Sequence, residues 1–252
     1  MSPSAFRQIS APDGATAELA IFADKAALVN GAAAFIAEQA AEAISRRGRF
    51  ALALSGGDTP KPVYERLATL GGVDWRRAEV FFGDERCVPQ DDPRSNFAMA
   101  KAALLDRVDI PSQNVHRIRG EDPPRVAAES YAGELRKTLG EDGRLDLILL
   151  GLGENGHTAS LFPGLAALED KRHGVAAAYV EVAGMWRATM TFRTINAARR
   201  VALLVSGAGK AEILRRVLQG PRDPFVLPAQ AVRPEERPAL WLVDAEAASK
   251  LS

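Results

Sequence analysis

The sequence predicts an α/β fold, a mainly parallel Rossmann-like sheet with helices on both faces, and three observations carry that prediction. Short apolar runs, interrupted only by Asp146, recur at 50–54, 145–150 and 201–205, the pattern of strands buried on both sides. Segments of helical length separate these runs, and β–α alternation builds a parallel sheet. Glycine-rich turns close several of the runs, as in Ser55-Gly56-Gly57 and Gly151-Leu152-Gly153, where a backbone must turn sharply or approach a ligand.

In chain order, a strand at 18–23 precedes an Ala-rich helix at 25–46. A strand at 50–54 ends in a glycine turn, and Pro60 suits the first position of a helix at 60–70. A strand at 79–82 leads into a charged loop and a helix at 94–105. A short strand at 115–117 and a helix at 125–139 follow, then the apolar strand at 145–150. The stretches 175–182 and 187–192 read as a strand pair of antiparallel character. A strand at 201–205, a helix at 210–218, a strand at 239–243 and a terminal helix complete the chain. The Pro-rich stretches at 221–228 and 234–238 read as surface connections, so one unit spanning 1–252 is expected.

Lys+Arg and Asp+Glu are equal at 32 each, which argues against a nucleic-acid or membrane-surface partner recruited by bulk charge. No apolar run approaches the ~20 residues that span a bilayer, and no basic segment followed by an apolar core marks a signal peptide. The single Cys87 cannot close an internal disulfide and fits a reducing cytoplasm. With 3 histidines and 1 cysteine, a structural zinc site is not expected. Oligomeric state stays open between a monomer and a weak dimer.

The most informative stretch is Gly151-Leu-Gly-Glu-Asn-Gly-His157-Thr-Ala-Ser-Leu-Phe-Pro-Gly164, directly after an apolar strand. Loops at strand ends are where open α/β proteins place ligands. His157, flanked by Gly156 on such a loop, is the candidate general base, because imidazole titrates near neutrality. His116 and His173 lack that setting and read as packing or surface residues. The run literally matches G-x-G-x-x-G, but Pro163 cuts short the helix a dinucleotide site needs, and for its acidic residue Glu169 and Asp170 come too early and Glu181 too late. Ser160 is read as serving its own turn.

Other strand-end turns carry complementary chemistry. Ser55-Gly56-Gly57-Asp58-Thr59-Pro60 offers backbone N–H groups, a helix start and two hydroxyls, which together suit an anion; a plain βα turn with a cap reads equally well. In Asp84-Glu85-Arg86-Cys87, Arg86 is a permanent planar donor for a phosphate or a carbonyl, and Asp84 a base or an orienter; the plain alternative is a solvated loop with a local ion pair. Cys87 has no histidine near it in sequence and is not read as a nucleophile. Lys210 stands at a helix start, unfavourable against the helix dipole unless an anion is bound or its head lies in water.

These segments together resemble the 6-phosphogluconolactonases of the glucosamine-6-phosphate isomerase/6-phosphogluconolactonase family. The matching pieces are S-G-G-D-T-P at 55–60, G-D-E-R-C-V-P at 83–89, S-N at 95–96, the 151–164 run, I-N-A-A-R-R-V at 195–201 and S-G-x-x-K-A at 206–211. The related glucosamine-6-phosphate deaminases look like G-H-I-A-F-N-E-P where this chain reads G-H-T-A-S-L-F-P, so it lacks their ring-opening Glu. The resemblance implies a fold of the deaminase, ribose-phosphate isomerase and CoA-transferase type. It implies hydrolysis of a phosphosugar lactone in the oxidative pentose phosphate pathway, in the cytoplasm, with no cofactor and no metal. It places His157, Arg86, Asn155 and Asp84 among the catalytic residues, and Ser55, Gly56, Gly57, Thr59, Arg86, Lys210 and Asn96 around the phosphosugar. The family usually has Asp where this chain has Asn155; an amide still hydrogen-bonds but lends no charge, which Glu154 or Asp84 would then supply. A sugar-phosphate isomerase or deaminase on the same scaffold, and a non-catalytic sugar-phosphate binder, remain open alternatives.

Overall fold

The computed structural model describes residues 3–140 and 143–252; residues 1–2 and 141–142 of the expected 1–252 unit lie outside the described residues. Strands β1 (Ala5–Ser10), β2 (Thr16–Phe22), β3 (Phe50–Leu54), β4 (Ala78–Phe82), β6 (Leu147–Gly151), β9 (Val201–Val205) and β10 (Leu240–Asp244) form one sheet in the order β1-β2-β10-β9-β6-β3-β4. Only β1 runs antiparallel within it, against β2. Every residue of β3, β9 and β10 is buried. Burial of consecutive residues, which point to opposite faces, requires cover on both sides of the sheet.

A second sheet, β5-β8-β7, is antiparallel and contains β5 (Asp84–Arg86), β7 (Val175–Val180) and β8 (Met185–Met190). The chain passes from one sheet to the other at Gly83: its N–H donates to Leu54 O at 2.8 Å, and its own oxygen accepts from Met190 N at 2.8 Å. The helices are α1 (Lys25–Arg47), α2 (Pro60–Leu70), α3 (Asn96–Ala103), α4 (Pro124–Leu139), α5 (Phe192–Ala197) and α6 (Ala211–Gln219). α1 starts at Asp24, whose side chain accepts from Ala27 N, and ends at Gly48 in the left-handed region, φ 75°.

The strand and helix expectations hold in the core and fail at the margins. β1 was not expected, because on an edge strand only Ile9 is buried and no alternation survives in Ala5–Ser10. Residues 84–86 form β5 instead of a solvated loop. The stretch 115–117 contributes a single bridge, Val115 to Val80. The strand expected to reach 192 stops at Met190, and α5 begins at Phe192. α3 starts at Asn96 because Ser95 Oγ accepts from Ala98 N, 3.1 Å. No terminal helix forms, since Asp244 closes a turn by accepting from Ala247 N at 2.8 Å.

β3 and β6 are neighbours, but the chain continues from β3 outward to β4 and from β6 outward to β9, on the other side. Their carboxyl ends therefore flank a crevice at a topological switch point, where open α/β sheets bind ligands.

Candidate active site

The crevice is a cavity of about 700 Å³ lined by the turns after β3, β6 and β9 and by the second sheet. Ser55, Gly56, Gly57, Thr59, Asp84, Arg86, Asn96, Asn155, His157 and Lys210 all line it, so the structure brings together every residue that sequence reasoning nominated.

Buried tyrosines set two of the strand ends. Tyr64 OH accepts from Ser55 N (2.9 Å) and donates to Ser55 O (2.8 Å), holding the turn after β3. Tyr131 OH accepts from Phe82 N (2.7 Å) and donates to Phe82 O (3.1 Å), fixing the end of β4. Burial pushes both phenols well above their ordinary pKa, so they stay protonated. The turn after β3 then runs past Asn96, whose Oδ1 lies 1.8 Å from where a Cβ on Gly56 would stand, so no side chain fits at Gly56. Pro60 takes the first helical position, and the Thr59 hydroxyl makes no capping bond.

The His157 loop determines its own proton. Gly156 adopts φ 80°. Asn155 Oδ1 lies 3.2 Å from His157 N and 2.6 Å from His157 Nδ1. A backbone N–H can only donate, so the atom facing it is the amide oxygen, and that oxygen then accepts Nδ1–H as well. Nε2 of the neutral ring is therefore the lone-pair nitrogen. Burial, with Arg187 and Lys210 adding positive field, pushes the His157 pKa down to about 4, leaving the imidazole neutral at pH 7. Glu154 is exposed, and among the described residues neither it nor Asp84 hydrogen-bonds to the His157 ring, whose partner is Asn155. Turns and a bridge, not a helix, follow Gly156 directly, which removes the dinucleotide reading.

Asp84 ties the second sheet to the turns around the cleft. Its carboxylate accepts from Ser160 Oγ (2.5 Å) and Asn96 Nδ2 (3.2 Å) and lies 3.9 Å from Arg187. Ser160 thus serves a residue 76 positions away, not its own turn. Glu85 is also structural: buried, it accepts from Arg86 N, Asn96 N and Phe97 N, each at 2.7 Å, and from Ser95 Oγ at 2.9 Å, so it caps α3. Burial raises its pKa against these donors.

Sequence reasoning missed Arg187. It stands directly opposite Arg86 in the β5–β8 pair, and Asp84 shares their face two residues along. Like charges in that position oppose each other, and Asp84 offsets them only in part. The available signal was a lone charged residue, Arg187, in a strand otherwise free of charge. Arg86 itself donates to Arg94 O. Buried polar atoms without a partner among the described residues are Ser55 Oγ, Arg86 Nε, Asn96 Oδ1 and Arg187 Nε, all on cleft-lining residues; Lys210 joins them with no described ion pair.

The remaining histidines lie outside the cleft. His116 is buried between Glu79 (2.8 Å) and Glu134 (3.0 Å) and stacked on Phe81. His173 is exposed beside Asp170. Burial and nearby Glu85 push the Cys87 thiol up to about 11, which suits no nucleophile. Among the described residues, no group of histidines, cysteines and carboxylates is arranged to hold a metal ion, and no helix is long and apolar enough to cross a membrane.

The family model for glucosamine-6-phosphate isomerases/6-phosphogluconolactonase matches residues 23–241. A 6-phosphogluconolactonase of Nostoc sp. is 40% identical over 237 residues, covering 92% of this chain and 97% of its own length. The crystal structure of 6-phosphogluconolactonase from Thermotoga maritima superposes with a TM-score of 0.79 at 32% identity, covering 90% of this chain and 98% of that one. A monomeric glucosamine-6-phosphate deaminase superposes with a TM-score of 0.78 at 25% identity, over 92% of this chain and 99% of its own. The chain belongs to the glucosamine-6-phosphate isomerase/6-phosphogluconolactonase family.

Proposed function

We propose that the chain hydrolyses 6-phospho-D-glucono-1,5-lactone to 6-phospho-D-gluconate, with His157 as general base on water. Relatives that carry the 6-phosphogluconolactonase name at 35–40% identity support the reaction. The observation that carries the mechanism is a neutral imidazole whose lone-pair nitrogen is Nε2, on the wall of a cleft that also holds Arg86, Arg187 and Lys210. Nε2 takes a proton from water as the oxygen attacks C1. Arg86, with backbone N–H groups, stabilises the oxyanion. The tetrahedral intermediate collapses, the C1–ring-oxygen bond breaks, and the imidazolium returns its proton to the leaving oxygen. A lactone is reactive enough that water suffices and no covalent nucleophile is required.

The turn at Ser55, Gly56, Gly57 and Thr59, together with Arg187 and Lys210, would hold the phosphate and so position C1. A dianion there offsets the cations that depress His157, strengthening the base as substrate binds. Asn96 Nδ2 donates to Asp84 O and Asp84 Oδ1, while its own Oδ1 has no partner among the described residues and is suited to accept from a substrate hydroxyl. Phe162 lies against His157, and the segment brings no carboxylate there, which disfavours the deaminase alternative.

The test is a coupled assay with freshly made lactone, corrected for spontaneous hydrolysis. His157→Gln should lower turnover by about a hundredfold or more, the usual span of general-base catalysis, with the fold intact by circular dichroism; near-wild-type turnover would overturn the assignment. The base is depressed in the free enzyme, so kcat/KM should hold as pH falls below 6.5 and decline only toward about 4. An acid limb at the ordinary imidazole value would contradict the geometry.

A further inference from the structure

The Phe162 ring is buried and stacks on the His157 imidazole, with centroids 3.8 Å apart and planes 15° from parallel. The Arg187 guanidinium carbon sits 5.5 Å from the same ring's centroid. One aromatic side chain thus touches both the base and a cation of the cleft. Among the described residues the His157 ring has Asn155 as its one hydrogen-bond partner, and one acceptor cannot by itself stop the ring from rotating about χ1 and χ2. The Gly153 backbone crowds the Nδ1 and Cε1 atoms, where a Cβ would lie 2.0 Å from each, and among the described residues Phe162 supplies the aromatic ring stacked on the imidazole face.

We propose that Phe162 is a positioning residue for hydrolysis, a slab that holds the His157 ring in its single working orientation and excludes water from one of its faces beside Arg187. This rests on the reading of His157 as the base. The charged groups facing the imidazole are Arg187 from β8 and Lys210 from the turn before α6; Asp84, Arg86 and Glu154 line the same cleft, and Asn155 is neutral. Both nearby cations and the shielding act in one direction, against protonation, so removing the slab has a defined sign. Water reaches the ring, the imidazole becomes easier to protonate, and the acid limb of activity moves up.

The experiment measures two things in wild type, Phe162→Leu and Phe162→Tyr. One is the titration of the His157 ring by proton NMR, assigned by difference from His157→Gln among the 3 histidines. The other is the pH dependence of kcat and KM. In Phe162→Leu, the titration midpoint should rise by about one pH unit or more, and kcat at neutral pH should fall about tenfold with KM changing less than about threefold, as expected for a misplaced base with substrate binding intact. Phe162→Tyr keeps the slab and should behave as wild type in both. If Phe162→Leu does not stay folded, Phe162→Met, which retains volume without a flat face, takes its place with the same expectations. An unmoved midpoint with unchanged kcat overturns the proposal, as does a loss expressed only in KM. The NMR titration is independent of turnover, so it reads the stacking even if the lactone is not the substrate, and the two claims fail separately.

Discussion

A side chain at Gly153 would have no room, because the His157 ring occupies that space. A Cβ built there would lie 2.0 Å from both Nδ1 and Cε1 of His157, well inside any real contact. The glycine is needed for the imidazole, not for its own dihedral angles, since it is not among the positive-φ residues, whereas Gly156 is. Gly153→Ala should therefore leave the protein folded, because its neighbourhood is half-exposed, yet lower kcat by about tenfold or more through displacement of the base. Assay and thermal melt together check this; full activity in a folded Gly153→Ala would mean that the ring can shift at no cost. The same residue-scale logic assigns the histidine tautomer: one amide oxygen receives two donors and thereby leaves Nε2 for water.

At the scale of elements, β5 does two jobs with successive residues. Asp84 and Arg86 face the cleft, while Glu85 points the other way and takes the unpaired N–H groups at the start of α3. This alternation explains why an acidic pair at a strand end is not an acid–base pair. Glu85→Ala would leave those donors without a partner in a buried setting. It should cost about 3 kcal/mol of stability, read as a lower denaturation midpoint, while Glu85→Gln recovers part of the loss through its remaining oxygen. A Glu85→Ala variant as stable as wild type would show that water replaces the carboxylate. The β5–β8 pairing also sets Arg86 beside Arg187, an arrangement of like charges that a bound phosphate relieves.

At the scale of the molecule, the two sheets share apolar packing. Buried Val175, Ala178, Ala188 and Met190 of the small sheet belong to the same cluster as the strands of the large one. Tyr131 of α4 bonds to the end of β4, and Gly83 bonds to both sheets. We propose on this basis that the chain unfolds as one unit. Calorimetry should give a single transition whose calorimetric and van't Hoff enthalpies agree; two resolved transitions would separate the sheets energetically and overturn that expectation.

What the amino-acid sequence determined by itself is the local part: the apolar strands β3, β6 and β9, the glycine turns behind them, and the placing of His157, Ser55 and Lys210 at strand ends. Apolar runs, glycine and proline act over a few residues, so their consequences are legible without a partner. Only the tertiary structure decided that Ser160 bonds to Asp84, that Arg187 faces Arg86, that Phe162 lies flat on His157 beside that arginine, and that Asp84 bonds to Ser160 and Asn96 and not to His157. Ser160 and Asp84, and Arg86 and Arg187, lie far apart in sequence, and they meet through the antiparallel β5–β8 register and the order of strands. No local periodicity encodes that order; it follows from which buried faces the whole chain can cover at once.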